Sequence, residues 1–153
     1  MKTGKATQNI LQFKTTAGTA MTDIVKSRAC DCELWDEVVA PQYKQSMNVL
    51  SWGRPLEDSG CSLKNKLRVQ NVVQVTWGVV SYKETEEHSK WGVTLDSKVV
   101  CIADTNRMIS QRKRGGGATC LTVAGLGNSF AKLIQTVRSC ESLRLVHAHC
   151  ETP

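Results

Sequence analysis

The chain has 153 residues, 41% of them hydrophobic, and a formal net charge of +6 at neutral pH. That length suits one compact domain able to bury roughly two-thirds of its unfolded surface, and the composition excludes disorder as the main state. No apolar run approaches the ~20 residues a membrane span needs, so stable membrane insertion is not expected. The basic balance points to an acidic partner, whether a protein, an anionic lipid surface or nucleic acid.

Residues 1–9 read as a polar leader without the continuous apolar core of a secretory signal. Ile10 to Lys26 places Ile10, Leu11, Phe13, Ala17, Ala20, Met21, Ile24 and Val25 at rough helical spacing, weakened by Gly18 and four threonines. Glu33 to Ala40 and Met47 to Gly53 read as two strands, the first ended by Pro41. Arg54 to Gly60 is rich in turn residues. In the next stretch Leu67, Val69, Val73, Val75, Trp77 and Val79 alternate, which favours a strand. Asp58, Ser59 and Ser62 meanwhile offer helix caps. Lys83 to Lys90 is a polar loop that concentrates Glu84, Glu86 and Glu87.

Trp91 to Leu126 reads as an antiparallel meander. Gly92 to Leu95 is a short extended run, Asp96-Ser97 a turn, and Lys98 to Ala103 an apolar, β-branched strand. Asp104-Thr105-Asn106 turns the chain, Arg107 to Lys113 returns it, and Gly115-Gly116-Gly117 frees the backbone to reverse into a strand from Ala118 to Leu126. Arg107, Arg112, Lys113 and Arg114 form a basic cluster. Gly127-Asn128-Ser129 then opens an amphipathic helix with Phe130, Leu133, Ile134 and Val137 on one face. Residues 144–153 read as an extension.

The seven cysteines, an odd number, fit thiols in a reducing compartment, with Cys101, Cys120 and Cys140 as small core residues. Zinc could draw on Cys30 and Cys32 with His147, His149 and Cys150. No further cysteine pair stands at finger spacing, so no metal is expected.

The ordered pieces Gly92-Val93-Thr94-Leu95, Lys98, Val99 to Ile102, Ile109, Arg112-Lys113 and Gly116-Gly117 resemble profilins, small proteins that bind monomeric actin. The resemblance implies an α+β fold over residues 10–143, a central antiparallel sheet flanked by N-terminal and C-terminal helices. It also implies a helix over 62–75. It assigns actin contacts to Lys98, Lys113, Gly127, Asn128 and Lys132, and phosphoinositide contacts to Arg107, Arg112, Lys113 and Arg114, about 1 kcal/mol per cation near an anionic surface. The polyproline groove of the family needs aromatic platforms. Here only Trp52 matches, with Ile10 and Phe13 at the other positions, so proline-rich partners are expected to bind weakly or not at all. The implied setting is the cytoplasm and cytoskeleton.

The residues themselves give little sign of an enzyme. His88 lies in the acidic loop, His147 and His149 lie in the tail, and none neighbours a nucleophile with a third orienting group. Gly115-Gly116-Gly117 lacks the Lys-Ser/Thr of a P-loop. No cofactor is expected. The alternative is a basic α/β module that binds nucleic acid or joins an assembly, although the 107–126 stretch contains no aromatic residue for base stacking.

Overall fold

The structure, a computed structural model, describes residues 7–61 and 66–138. Among these residues ten strands form one mixed sheet: β1 Gln8–Lys14, β2 Ala20–Lys26, β3 Met47–Leu50, β4 Gly60–Cys61, β5 Arg68–Trp77, β6 Val80–Lys83, β7 Trp91–Thr94, β8 Val99–Ala103, β9 Gly116–Thr122 and β10 Ile134–Arg138. Their order is β1-β2-β9-β8-β7-β3-β5-β10, with β4 and β6 also paired to β5. Among the described residues the pairings are antiparallel except β3 with β5, which is parallel.

The sheet carries one helical layer on each face. On one side a π-helical turn Trp35–Val39 runs into α1, Ala40–Tyr43, and covers Ile24, Met47, Val49, Val69, Val99, Cys101, Ala118 and Cys120. On the other side α2, Ala124–Leu133, brings Leu126 and Phe130 onto Leu50, Val72, Val75, Trp91, Val93 and Val100. Phe130 meets the Trp91 indole edge-on at 5.1 Å, a favoured aromatic geometry. Among the described residues no helix is long and apolar enough to cross a membrane.

This architecture replaces the profilin-like expectation. In place of an N-terminal helix, β1 and β2 form a hairpin. Its threonines and β-branched residues suit a pleated surface, and Gly18 supplies the positive φ of +84° in the turn. Glu33 to Ala40 is helical instead of extended, because Leu34, Trp35, Val38 and Val39 recur at helical spacing and are all buried. The Glu33 carboxylate accepts N–H bonds from Trp35 and Asp36 at 2.8 and 2.7 Å and so caps that turn.

The expected helix over 62–75 is β5 where it is described. Val69 faces the first core and Val72 and Val75 the second. A strand buried on both faces blurs its own alternation. Within the meander, β7 and β8 fall on the expected runs, while β9 overlaps the strand expected over Ala118 to Leu126 only as far as Thr122, because Ala124 to Leu126 already belong to α2. Residues 107–113, however, form an irregular loop with a single 3-10 turn, Ile109–Gln111, and the glycines begin β9 instead of preceding it. The last helix starts earlier than expected and stops at Leu133, where the β-branched run from Ile134 leaves to pair with β5. The extension at 144–153 lies outside the described residues.

Cys101 and Cys120 face each other in register across β8 and β9 and form a disulfide, as do Cys30 and Cys32. The expectation of free core thiols is thereby corrected for Cys101 and Cys120, and Cys140 lies outside the described residues. Both cysteines proposed for zinc are taken up in a bond to each other, and their suggested partners His147, His149 and Cys150 lie outside the described residues.

Candidate active site

Strand direction gathers four connections at one end of the sheet. The carboxyl ends of β2, β3 and β8 and the amino ends of β7 and β9 all point there, since Leu50 pairs with Trp91, Trp91 with Ile102, Ala103 with Ala118 and Lys26 with Gly116. The connections are Ser27 to Leu34, Ser51 to Ser59, Glu84 to Lys90 and Asp104 to Gly115.

Just beyond β7, the backbone stays tied to the sheet through the Ala103 N–H, which donates to the Lys90 carbonyl at 2.8 Å. His88 and Lys90 are two residues apart there, a spacing that puts both side chains on one side of an extended chain. The exposed His88 imidazole stacks on the Trp52 indole with ring centroids 4.9 Å apart and planes 23° from parallel. The Lys90 ammonium, half-buried, donates to the His88 carbonyl at 2.5 Å. The neighbouring acidic side chains serve their own loop: Glu86 accepts from the Lys83 N–H and Glu87 from the Ser89 N–H, at 3.0 and 2.8 Å. An imidazole and an ammonium thus lie two residues apart at this end of the sheet.

The connections at the same sheet end also carry a buried ionic network. Arg107 is 0% exposed. Its guanidinium reaches Asp36 at 2.9 Å, the Asp58 carbonyl at 3.2 Å and Asn71 Oδ1, and its Nε lies 3.6 Å from Glu33. Its backbone N–H donates to Ser51 Oγ at 2.9 Å. Burial pushes the Glu33 carboxyl up to about 7, opposed by the nearby Arg107 charge. Asp36 moves in the same direction, again chiefly through burial.

Lys26, 4% exposed, holds the basic loop from inside: its ammonium donates to the Arg112 and Arg114 carbonyls at 2.7 Å each and to Gln111 at 3.3 Å. Burial lowers its pKa. With those carbonyls turned inward, Lys113 and Arg114 are left exposed at the same sheet end.

The residues assigned from the profilin resemblance do not assemble as that resemblance implied. Lys98 sits in the β7–β8 turn, 3.6 Å from Asp96, and buried Gly127 packs against Ser97. Asn128 and Lys132 are exposed on α2. Lys113 lies at the opposite end of the strands from Lys98, so these residues share no single surface. Of the four cations given to phosphoinositides, Arg107 is internal. Arg112 is tied to Glu57 and Glu37 at 2.7 and 2.9 Å, and Lys113 lies 3.6 Å from Asp31. The Glu57 contact raises the Arg112 pKa. Ile10 and Phe13 lie on the edge strand β1, five strands from β3, about 24 Å at normal strand spacing. No groove can join them to Trp52. His88 and Lys90 were missed from sequence, although a His-x-Lys ahead of an extended run carried the signal.

The sequence places the chain in a family of nucleases: it is a member of the deoxyribonuclease II family, whose profile matches residues 1–140. It is 32% identical over 141 residues to deoxyribonuclease-2 of Caenorhabditis elegans, which covers 90% of this chain and 37% of that protein. Cell-death-related nuclease 7 of the same organism is 27% identical over 133 residues, 85% of this chain and 36% of that protein. Plancitoxin-1 of Acanthaster planci is 30% identical over 133 residues, 85% of this chain and 37% of that protein. The chain spans about a third of the length of the curated relatives it matches.

Membership overturns the profilin resemblance, and with it monomeric actin, phosphoinositide lipids and a cytoskeletal role. It also overturns the expectation that the chain is no enzyme, because the family is one of deoxyribonucleases. The nucleic-acid alternative stands closer to the finding.

Proposed function

We propose that this chain supplies groups for the hydrolysis of phosphodiester bonds in DNA, with His88 and Lys90 at the reacting phosphate. The observation that carries this reading is the His88–Lys90 pair at the open sheet end of a deoxyribonuclease II family member. Hydrolysis forms a P–O bond to water and breaks the P–O bond to a sugar oxygen. Water must lose a proton and the departing sugar oxygen must gain one. His88 is placed to move the proton on one side of phosphorus, work that typically contributes 10²–10⁴-fold. Lys90 exchanges the His88 carbonyl for a non-bridging phosphate oxygen and opposes the charge that builds there. The net charge of +6 and the exposed Lys113 and Arg114 favour approach of the polyanion. The disulfides Cys30–Cys32 and Cys101–Cys120, found among the described residues, support an oxidising compartment as the working environment.

Nicking of supercoiled plasmid tests the reading. His88→Ala should lower the rate at least about a hundredfold, and Lys90→Ala should lower it while Lys90→Arg retains part of it. Equal nicking by wild type and His88→Ala would overturn the assignment.

A further inference from the structure

We infer that Trp52 is a positioning residue for His88: its indole is a fixed platform that sets the plane of the imidazole and leaves only one ring face and the ring edge open to substrate. The inference rests on the reading of His88 given above, and its own support is geometric.

Trp52 lies two residues beyond Leu50, whose partner in β7 is Trp91. Continuing that antiparallel register past the end of the strands brings the Trp52 segment beside Ser89 and His88. The observed stack, 4.9 Å between centroids and 23° between planes, follows from that register.

The platform is held on both sides. Ser51, 1% exposed, accepts the Arg107 backbone N–H at 2.9 Å, and its hydroxyl donates to the Trp52 carbonyl at 3.3 Å. Gly53 is buried so closely that a Cβ there would stand 3.0 Å from side-chain atoms of both Leu56 and Met108. The backbone is thus held before and after Trp52, and its half-buried indole stacks on His88. His88, by contrast, sits in an exposed loop, where an imidazole without a platform samples several rotamers.

A catalytic proton carrier loses rate when its approach geometry is spread over rotamers, and an aromatic pair narrows that spread at low entropic cost. The Lys90 bond to the His88 carbonyl fixes the backbone of the same residue but not its ring. The two contacts therefore have separate jobs.

The test compares Trp52→Ala and Trp52→Phe in the intact chain, with two readouts. In the free protein, the ring protons of His88 should be displaced upfield by the indole ring current. They should move toward random-coil positions in Trp52→Ala and partly return in Trp52→Phe. In turnover, Trp52→Ala should lose kcat on the order of tenfold with KM little changed, and Trp52→Phe should restore most of the loss. His88 resonances identical in wild type and Trp52→Ala, or an undiminished kcat in Trp52→Ala, would overturn the positioning role. Failure of the underlying reading would appear differently, as full turnover in His88→Ala while the wild-type His88 ring protons still show the ring-current shift and lose it in Trp52→Ala.

Discussion

Replacing Arg107 by methionine removes the one group that joins four separate segments: the helix start at Glu33 and Asp36, β5 at Asn71, and the two connections that carry Asp58 and Arg107 itself. Methionine keeps much of the volume but strands its partners. Glu33 is 4% exposed and Asn71 is 0% exposed, so neither can turn to water for replacement bonds. Breaking one side of a buried ion pair typically costs about 3–5 kcal/mol, which is a large part of the stability of a domain this size. Urea unfolding followed by tryptophan fluorescence reads the loss as a fall in midpoint at constant slope. The deficit should shrink at acidic pH, where Glu33 and Asp36 take up protons and no longer need a counter-charge. A variant within about 1 kcal/mol of wild type at pH 7 would show that the network does not hold these segments together, and the reasoning would fail.

Other outcomes follow from the same buried chemistry. The Glu33 carboxyl rises from an ordinary value of 4.5 to about 7 in the fold. Between those values the folded state keeps a proton that the unfolded chain releases, so stability from this group is greatest below pH 4.5 and falls as pH rises toward 7. Thermal midpoints at pH 4.5 and 7.5 measure the fall, and Glu33→Gln should flatten it. A slope unchanged in Glu33→Gln would assign the effect elsewhere. Gly92→Ala places a Cβ 2.6 Å from the Trp35 ring and 3.2 Å from the Met47 methyl. Overpacking on this scale should cost about 1–3 kcal/mol in a urea titration, and a neutral result would mean that the helical layer shifts freely over β7.

β7, β8 and β9 are legible as short runs bounded by turn residues, whereas the return strand expected over Arg107 to Lys113 is a loop held by buried contacts. β5 was readable as a strand in its valines but was assigned to a helix, since burial on two sides removes the polar half of the alternation. Leu34, Trp35, Val38 and Val39 carried a helical period that a strand reading overlooked. Thr-rich β1 and β2 mimic a helical spacing in sequence because apolar residues in a hairpin exposed along one edge need no strict period. At the site, His88 and Lys90 stood two apart in plain view. Their relation to Trp52 depends on the register of β3 against β7, which sequence does not express. Arg107 shows the converse: a basic residue among other basic residues looks like surface, and only the folded chain reveals its carboxylate and amide partners.

The most direct measurement separates binding from chemistry in one preparation. Labelled DNA is titrated with wild type and His88→Ala, and cleavage is followed at saturation. The account predicts binding within a few-fold for both proteins, together with cleavage by wild type and its loss in the variant by at least about a hundredfold. Cleavage at the wild-type rate by a folded His88→Ala protein, or no cleavage by wild type at saturation, would contradict it.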